Sequence, residues 1–391
     1  MNRLVLLLVV PFALWAQPEF FGYFESEMDI LQLGTEKYNF GYNKFRLGVE
    51  TRPNDNVLIG ANINAQQYWG KTSWNLFDFV PGYTENGYTM NFILPDTIML
   101  DNMYMRISFP LLDLTLGRQQ ISPGVGYAWN PTDIFNHKSL MDPSYEQTGV
   151  DVIRLYMPLG NRSSFNSIIQ PSDNFGSSTV QFALGAGWGR FDFGMNLTKQ
   201  FASSSTTPIL GDPFVEERFL LGGSMVGEVL GWGVWTELAY NKLIATAFPP
   251  WSSIAYPEVH KPYSEILIGL DHTFDNSVYL LAEFLHNEHG VGKLSDLTVN
   301  DYLVNLGGST HSLMQDYGFF YLMLPPMDYI TLSALAIANF NDNSGTIAPQ
   351  FDWNAFENTN ISLQASGSWG ASDTEFGLQD WGLRLRLLSN F

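Results

Sequence analysis

Cysteine is missing from all 391 residues, which excludes disulfides, thiolate metal sites and anchoring through a lipidated cysteine. Positive charge is scarce. Against 39 Asp and Glu stand only 19 Lys and Arg, a formal charge of −20, and so few cations exclude nucleic acid as a partner. Past the first sixteen residues no apolar run reaches about 18 residues, so a membrane-spanning helix is excluded too. No motif calls for a cofactor.

What the chain has in excess is aromatic: 29 Phe, 18 Tyr and 11 Trp, with a mean hydropathy close to zero. Strands of a transmembrane barrel reconcile the two, because lipid-facing residues alternate with polar lumen residues and aromatics gather in girdles at the membrane interfaces. Period-two segments recur near 19–29, 39–51, 57–69, 97–109, 113–121, 149–157, 162–170, 178–187, 190–200, 217–228, 232–241, 263–273, 277–286, 313–324, 328–340, 346–355, 360–370 and 378–391. Tight connections rich in Gly, Pro, Asn and Asp, such as Pro53-Asn54-Asp55-Asn56 and Leu230-Gly231-Trp232, alternate with long ones near 70–96, 122–148, 201–216, 242–262 and 288–312. The expected fold is all-β: a transmembrane antiparallel up-and-down barrel of about 18 strands, with short periplasmic turns and long extracellular loops. Sixteen strands remain the alternative, should a hairpin at 162–170 or 346–355 be loop.

Met1-Asn2-Arg3, the apolar run Leu4 to Trp15 and Ala16 read as a signal peptide over residues 1–16. Residues 17–391 are then a single exported barrel domain, with outer-membrane lipids around it.

The faces follow from parity. Phe45, Leu47 and Val49 alternate with Lys44, Arg46, Gly48 and Glu50, and Met103, Met105 and Ile107 with Asn102, Tyr104 and Arg106. Asn, Gln, Ser, Gly and charge on the inner side of most strands describe a wet lumen rather than a dry core. Collected there, Lys44, Arg46, Arg106, Arg154, Arg384 and Arg386 form a basic group on strands that become neighbours once the barrel closes. Glu237, Glu265, Asp271 and Glu283 form an acidic group on later strands, while Glu25 and Glu27 fall beside Arg384 and Arg386. Two readings are open: facing walls that set up a transverse field across a pore, or cross-strand ion pairs sealing the closure.

The segment from Gly382 to Phe391 alternates by face and ends on an aromatic, and it resembles the sorting signal of bacterial outer-membrane barrels. That resemblance implies that Phe391 is read by the barrel-assembly machinery. The stretch Gly117-Arg118-Gln119-Gln120-Ile121-Ser122-Pro123-Gly124, followed by Asn130-Pro131-Thr132-Asp133, resembles a strand-to-loop segment of porin-like outer-membrane families. It implies an inward loop that narrows a pore, lined by Arg118, Asn130, Asp133, His137 and Lys138. An outer loop packed on the rim is the alternative, and by parity Arg118 itself falls on the lipid side.

An enzyme would need a catalytic constellation. Asp271 and His272 are adjacent on a strand and point to opposite faces; His286 and His289 could hold a metal with Glu288, but six scattered His more often sit on polar loops, and no hydrolase motif is evident. The expected function is therefore non-enzymatic: a porin passing small hydrophilic or charged solutes by passive diffusion. A plugged or loop-presenting barrel is the runner-up, a hydrolase the third reading, and homo-oligomerisation is left open.

Overall fold

Turn chemistry and alternation together produce one closed sheet. In the computed structural model, which describes residues 17–81, 89, 91–172, 178–206, 213–247, 261–298, 301, 302, 305 and 311–391, eighteen antiparallel strands form a closed barrel. The signal-peptide expectation over 1–16 lies outside these residues. In chain order the strands are β1 (Glu19–Leu33), β2 (Glu36–Asn54), β3 (Val57–Gly70), β4 (Thr97–Ser108), β5 (Asp113–Gln119), β6 (Val150–Pro158), β7 (Ser163–Gln170), β8 (Thr179–Trp188) and β9 (Phe191–Thr206). They continue as β10 (Pro213–Val229), β11 (Trp232–Ala247), β12 (Tyr263–Thr273), β13 (Tyr279–Asn287), β14 (Asp316–Met323), β15 (Ile330–Asn339), β16 (Ser344–Phe356), β17 (Thr359–Trp369) and β18 (Gln379–Asn390). Both doubtful hairpins are strands, which removes the 16-strand alternative.

Each strand pairs with its chain neighbours, and β1 pairs with both β2 and β18, so no edge is left to template aggregation. The β10–β11 turn has Leu230 at φ 53° and Gly231 at φ 82°, the two positive values that a tight turn matching strand twist requires. The β1–β2 connection is equally tight. Gly34 at φ 55° turns the chain there, so the first two strands run further than the alternation suggested. At the seam, Phe391 N donates to Gly22 O at 3.0 Å and Gly22 N to Phe391 O at 3.1 Å.

The outer surface carries an exposed apolar belt, including Phe45, Ile63, Leu184, Met195, Ile268 and Leu385. The interior differs from the wet lumen expected. Across β11–β16 the inner positions Trp235, Leu267, Leu281, Leu285, Phe319, Ile337 and Ala348 are buried in one apolar cluster with Ala128 and Trp129 of the β5–β6 loop. The barrel behind these six of its eighteen strands is thus a dry core. That loop supplies the second layer which the inner face of a sheet needs in order to be apolar.

Candidate functional site

The β5–β6 connection, residues 120–149, leaves one strand and returns on its neighbour, but between them it runs into the barrel as a strap. Its backbone carries donors with no ladder to join, and unpaired buried N–H groups cost about 1–3 kcal/mol each. Two wall carboxylates take them. Glu237 on β11 accepts from Val125 N, from Gly126 N at 2.9 Å, from Thr132 N at 3.1 Å and from Thr132 Oγ1 at 2.9 Å. Glu283 on β13 accepts from Tyr127 N at 2.5 Å, Ala128 N at 2.7 Å and Trp235 Nε1 at 2.6 Å. Gly124 makes the approach feasible: it sits at φ 109°, and a Cβ there would lie 2.8 Å from Glu237 Oε1. Lys138 Nζ closes the turn on the carbonyls of Gly126 and Tyr127 at 2.6 and 3.0 Å, and burial pulls it below the usual lysine range.

The returning half of the strap reverses the polarity, with carboxylates on the loop and cations on the wall. Asp142 Oδ2 accepts from Arg386 Nη1 at 2.7 Å, and Glu146 pairs with Arg46 and, at 3.4 Å, with Lys44. Tyr145 OH donates to Glu25 at 2.8 Å and accepts from Lys44 at 3.1 Å. Behind it, Arg384 pairs with Asp29 at 2.9 Å and Glu27 at 3.3 Å, Arg386 with Glu27 at 2.7 Å, and Arg46 with Asp101 at 3.0 Å.

Four of the six basic wall residues are therefore held in ion pairs. The other two, Arg106 and Arg154, make no ion pair among the described residues. They flank Thr115 on a single rung, and Arg154 Nε donates to Asn166 Oδ1 at 3.1 Å. Of the acidic set, Glu237, Glu265 and Glu283 are buried and engaged, and Asp271 accepts from Tyr279 OH at 2.9 Å. Among the loop candidates Asn130, Asp133, His137 and Lys138 belong to the strap. Arg118 does not: it lies at the end of β5 on the outer face, where Asp151 receives its guanidinium at 3.0 and 2.5 Å. His272 also faces outward, stacked on Trp232, away from Asp271.

The space left beside the strap lies against β6–β10. It is a recess of about 270 Å³ with Pro123, Gly124 and Thr132 on one side and Arg154, Tyr156, Leu184, Met195 and small or amide residues on the other. One rung runs Ser164–Gly185–Gly194–Ser224 and ends at Glu237; the next runs Tyr156–Asn166–Ala183–Asn196–Gly222. Short side chains on four neighbouring strands make that wall recede. Nothing in the local sequence flagged these rungs, because their members are far apart in the chain and meet only through register.

No family model matches the sequence, and no curated protein matches it. Among solved structures it is similar to OccK2 (OpdF) of Pseudomonas aeruginosa, at 8% identity over 96% of this chain and 98% of that one, with a TM-score of 0.58. OccK11 (OpdR) of the same organism gives 9% identity, 96% of each chain and a TM-score of 0.56. OmpF of Salmonella typhi, in a complex with daunomycin, gives 10% identity over 96% and 98%, with a TM-score of 0.50. All three are outer-membrane porins, and at this identity the likeness is one of fold.

Proposed function

From the premise that this chain has the fold of the outer-membrane porins, we propose that it is a non-enzymatic channel through which small hydrophilic solutes diffuse passively. The passage is the recess between the strap and β6–β10. The observation that carries this reading is the division of labour among the arginines: the paired ones fasten the strap and the seam, while Arg154, which lines the recess, and Arg106, its neighbour across Thr115, make no ion pair among the described residues. A guanidinium in the recess with a second one beside it favours anionic solutes, since fixed charge at a narrow point concentrates the opposite sign. Residues 1–16 act as the export signal, 17–391 as the single barrel domain, and Phe391 as the signal to the assembly machinery. The short turns face the periplasm.

Conductance across a planar lipid bilayer tests this. The purified protein is expected to form ion-conducting channels with anion preference, and the double variant Arg106→Gln, Arg154→Gln to move the reversal potential toward cations. The absence of a channel at any voltage would instead favour a plugged barrel, the reading that the two-walled fastening of the strap supports.

A further inference from the structure

One buried group lies behind the strap and outside the lining of the recess. His311, at the end of the β13–β14 connection, reaches in between β12 and the strap and is 5% exposed in its side chain. Its Nδ1 lies 2.8 Å from Glu265 Oε2 and its Nε2 lies 3.0 Å from the Asp133 carbonyl oxygen. Glu265 is itself buried, and its other oxygen accepts from Asn241 Nδ2 at 3.1 Å. A carbonyl oxygen can only accept. With a carboxylate on the other side, satisfying both contacts requires a proton on each ring nitrogen. Moving the shared proton to Glu265 Oε2 leaves the count unchanged: the pair holds one dissociable proton, and without it one N–H must serve two acceptors.

The groups packed around the ring agree with that state. Burial opposes the charge, but Glu265 beside Nδ1 and the Asp133 carbonyl raise His311 above the ordinary histidine range. Arg218 on β10 works against it, the His137 ring of the strap lies 5.1 Å from it, and Asp133 adds a carboxyl on the same side. Asp133 follows Thr132, the strap residue that both binds Glu237 and borders the recess. A bond to the Asp133 carbonyl therefore fixes the turn at the rim.

We propose that His311 is the positioning residue of the passage: its doubly bonded imidazolium clasps the β13–β14 loop to the strap and holds the Thr132 turn in place. The proposal rests on the channel reading. Acid keeps the clasp closed. As pH rises through the His311 titration one bond is lost, the rim loosens, and conductance and open-channel noise increase.

Single-channel recording from pH 5 to pH 10 tests this with two variants. His311→Arg, a permanent cation with donors on both sides, is expected to lack the alkaline rise in conductance. His311→Gln, which cannot supply a charged donor to both acceptors, is expected to show at pH 6 the conductance that the wild type reaches only in alkali. Asp133→Asn should retain the alkaline transition. Should either variant fail to insert, amide-exchange protection factors of Val125 to Thr132 in the wild type decide, with a fall between pH 6 and pH 9 expected. Channels whose pH response is the same in all the proteins, or protection that does not change, would overturn the clasp and leave the channel reading standing; no channel in the wild type would overturn the channel reading itself.

Discussion

Phe391 lies across Gly22. Its backbone brackets that residue with two hydrogen bonds, and its ring reaches over to stack on Phe45 at 5.7 Å between centroids. One aromatic thus spans β18, β1 and β2 at the closure, and it can do so because Gly22 presents no side chain.

A methyl at Gly22 would stand 2.7 Å from Phe391 Cζ and 2.1 Å from the Arg46 carbonyl oxygen. Gly22→Ala is expected to cost about 1–3 kcal/mol through overpacking. Phe391→Ala, which forfeits the stack, should cost at least ~0.5–1.5 kcal/mol. Electrophoresis of unheated and heated samples in detergent measures this: the folded form should convert to the unfolded one at a lower temperature in both variants, and an unchanged conversion temperature for Gly22→Ala would show that the seam adapts.

Glu237→Gln keeps the shape but replaces one acceptor oxygen with a donor. Either the Val125 and Gly126 amides or Thr132 then lose their partner, at about 1–3 kcal/mol for each buried donor left unpaired. Since Glu237 fastens the strap and not the hairpins, the barrel should stay heat-resistant while the single-channel conductance rises and becomes noisy. A variant with quiet, wild-type conductance would show that the strap stands without this carboxylate.

Parity puts Arg46 and Arg106 on one basic wall, yet their surroundings separate them. Arg46 is buried with Asp101, and removing one member of a buried pair costs about 3–5 kcal/mol. Arg46→Gln should therefore lower thermal stability, with little effect on reversal potential beyond that of a loosened strap. Arg106→Gln should do the reverse. Melting curves and reversal potentials on the two variants check the assignment, and a selectivity shift confined to Arg46→Gln would refute it.

Asp133 is fully buried, and burial raises its carboxyl from 3.8 to about 7. A group whose folded value lies above its unfolded one stabilises below the unfolded value, and that contribution fades as pH climbs through the folded one. Strap docking should therefore weaken between about pH 4 and pH 7, by at most about 1.4 kcal/mol per pH unit. Asp133→Asn should flatten this slope. Amide protection of Phe135 and Asn136, whose N–H groups bond Asp133 Oδ1 at 2.8 and 3.2 Å, measures it.

The barrel was legible because each strand announces itself locally. Alternation and turn residues located all eighteen strands, and parity correctly put Lys44 and Arg46 inside with Phe45 and Leu47 outside. The strap's docking was not legible, since Glu237 and the amides it receives are 105 to 112 positions apart. One signal for the dry side was nevertheless present. Tyr279 to Leu285 and Tyr317 to Met323 are apolar on both faces apart from Glu283, as strands covered on both sides are. The acidic residues look like lumen charge in the sequence because composition alone does not reveal that a loop occupies them.

The rung Ser164–Gly185–Gly194–Ser224 ends on Glu237, so the gauge of the proposed passage and the hook for its strap share a single ladder level. Strand pairing moves only in whole residues, and each step exchanges the two faces. A slip of one position at β8–β9 would set Leu184 or Met195 where a glycine now faces inward. The bore therefore comes in discrete sizes: it can be altered by substitution at a rung or by strap sequence, but never by sliding the sheet, and any slip at β10–β11 would withdraw the hook together with the gauge.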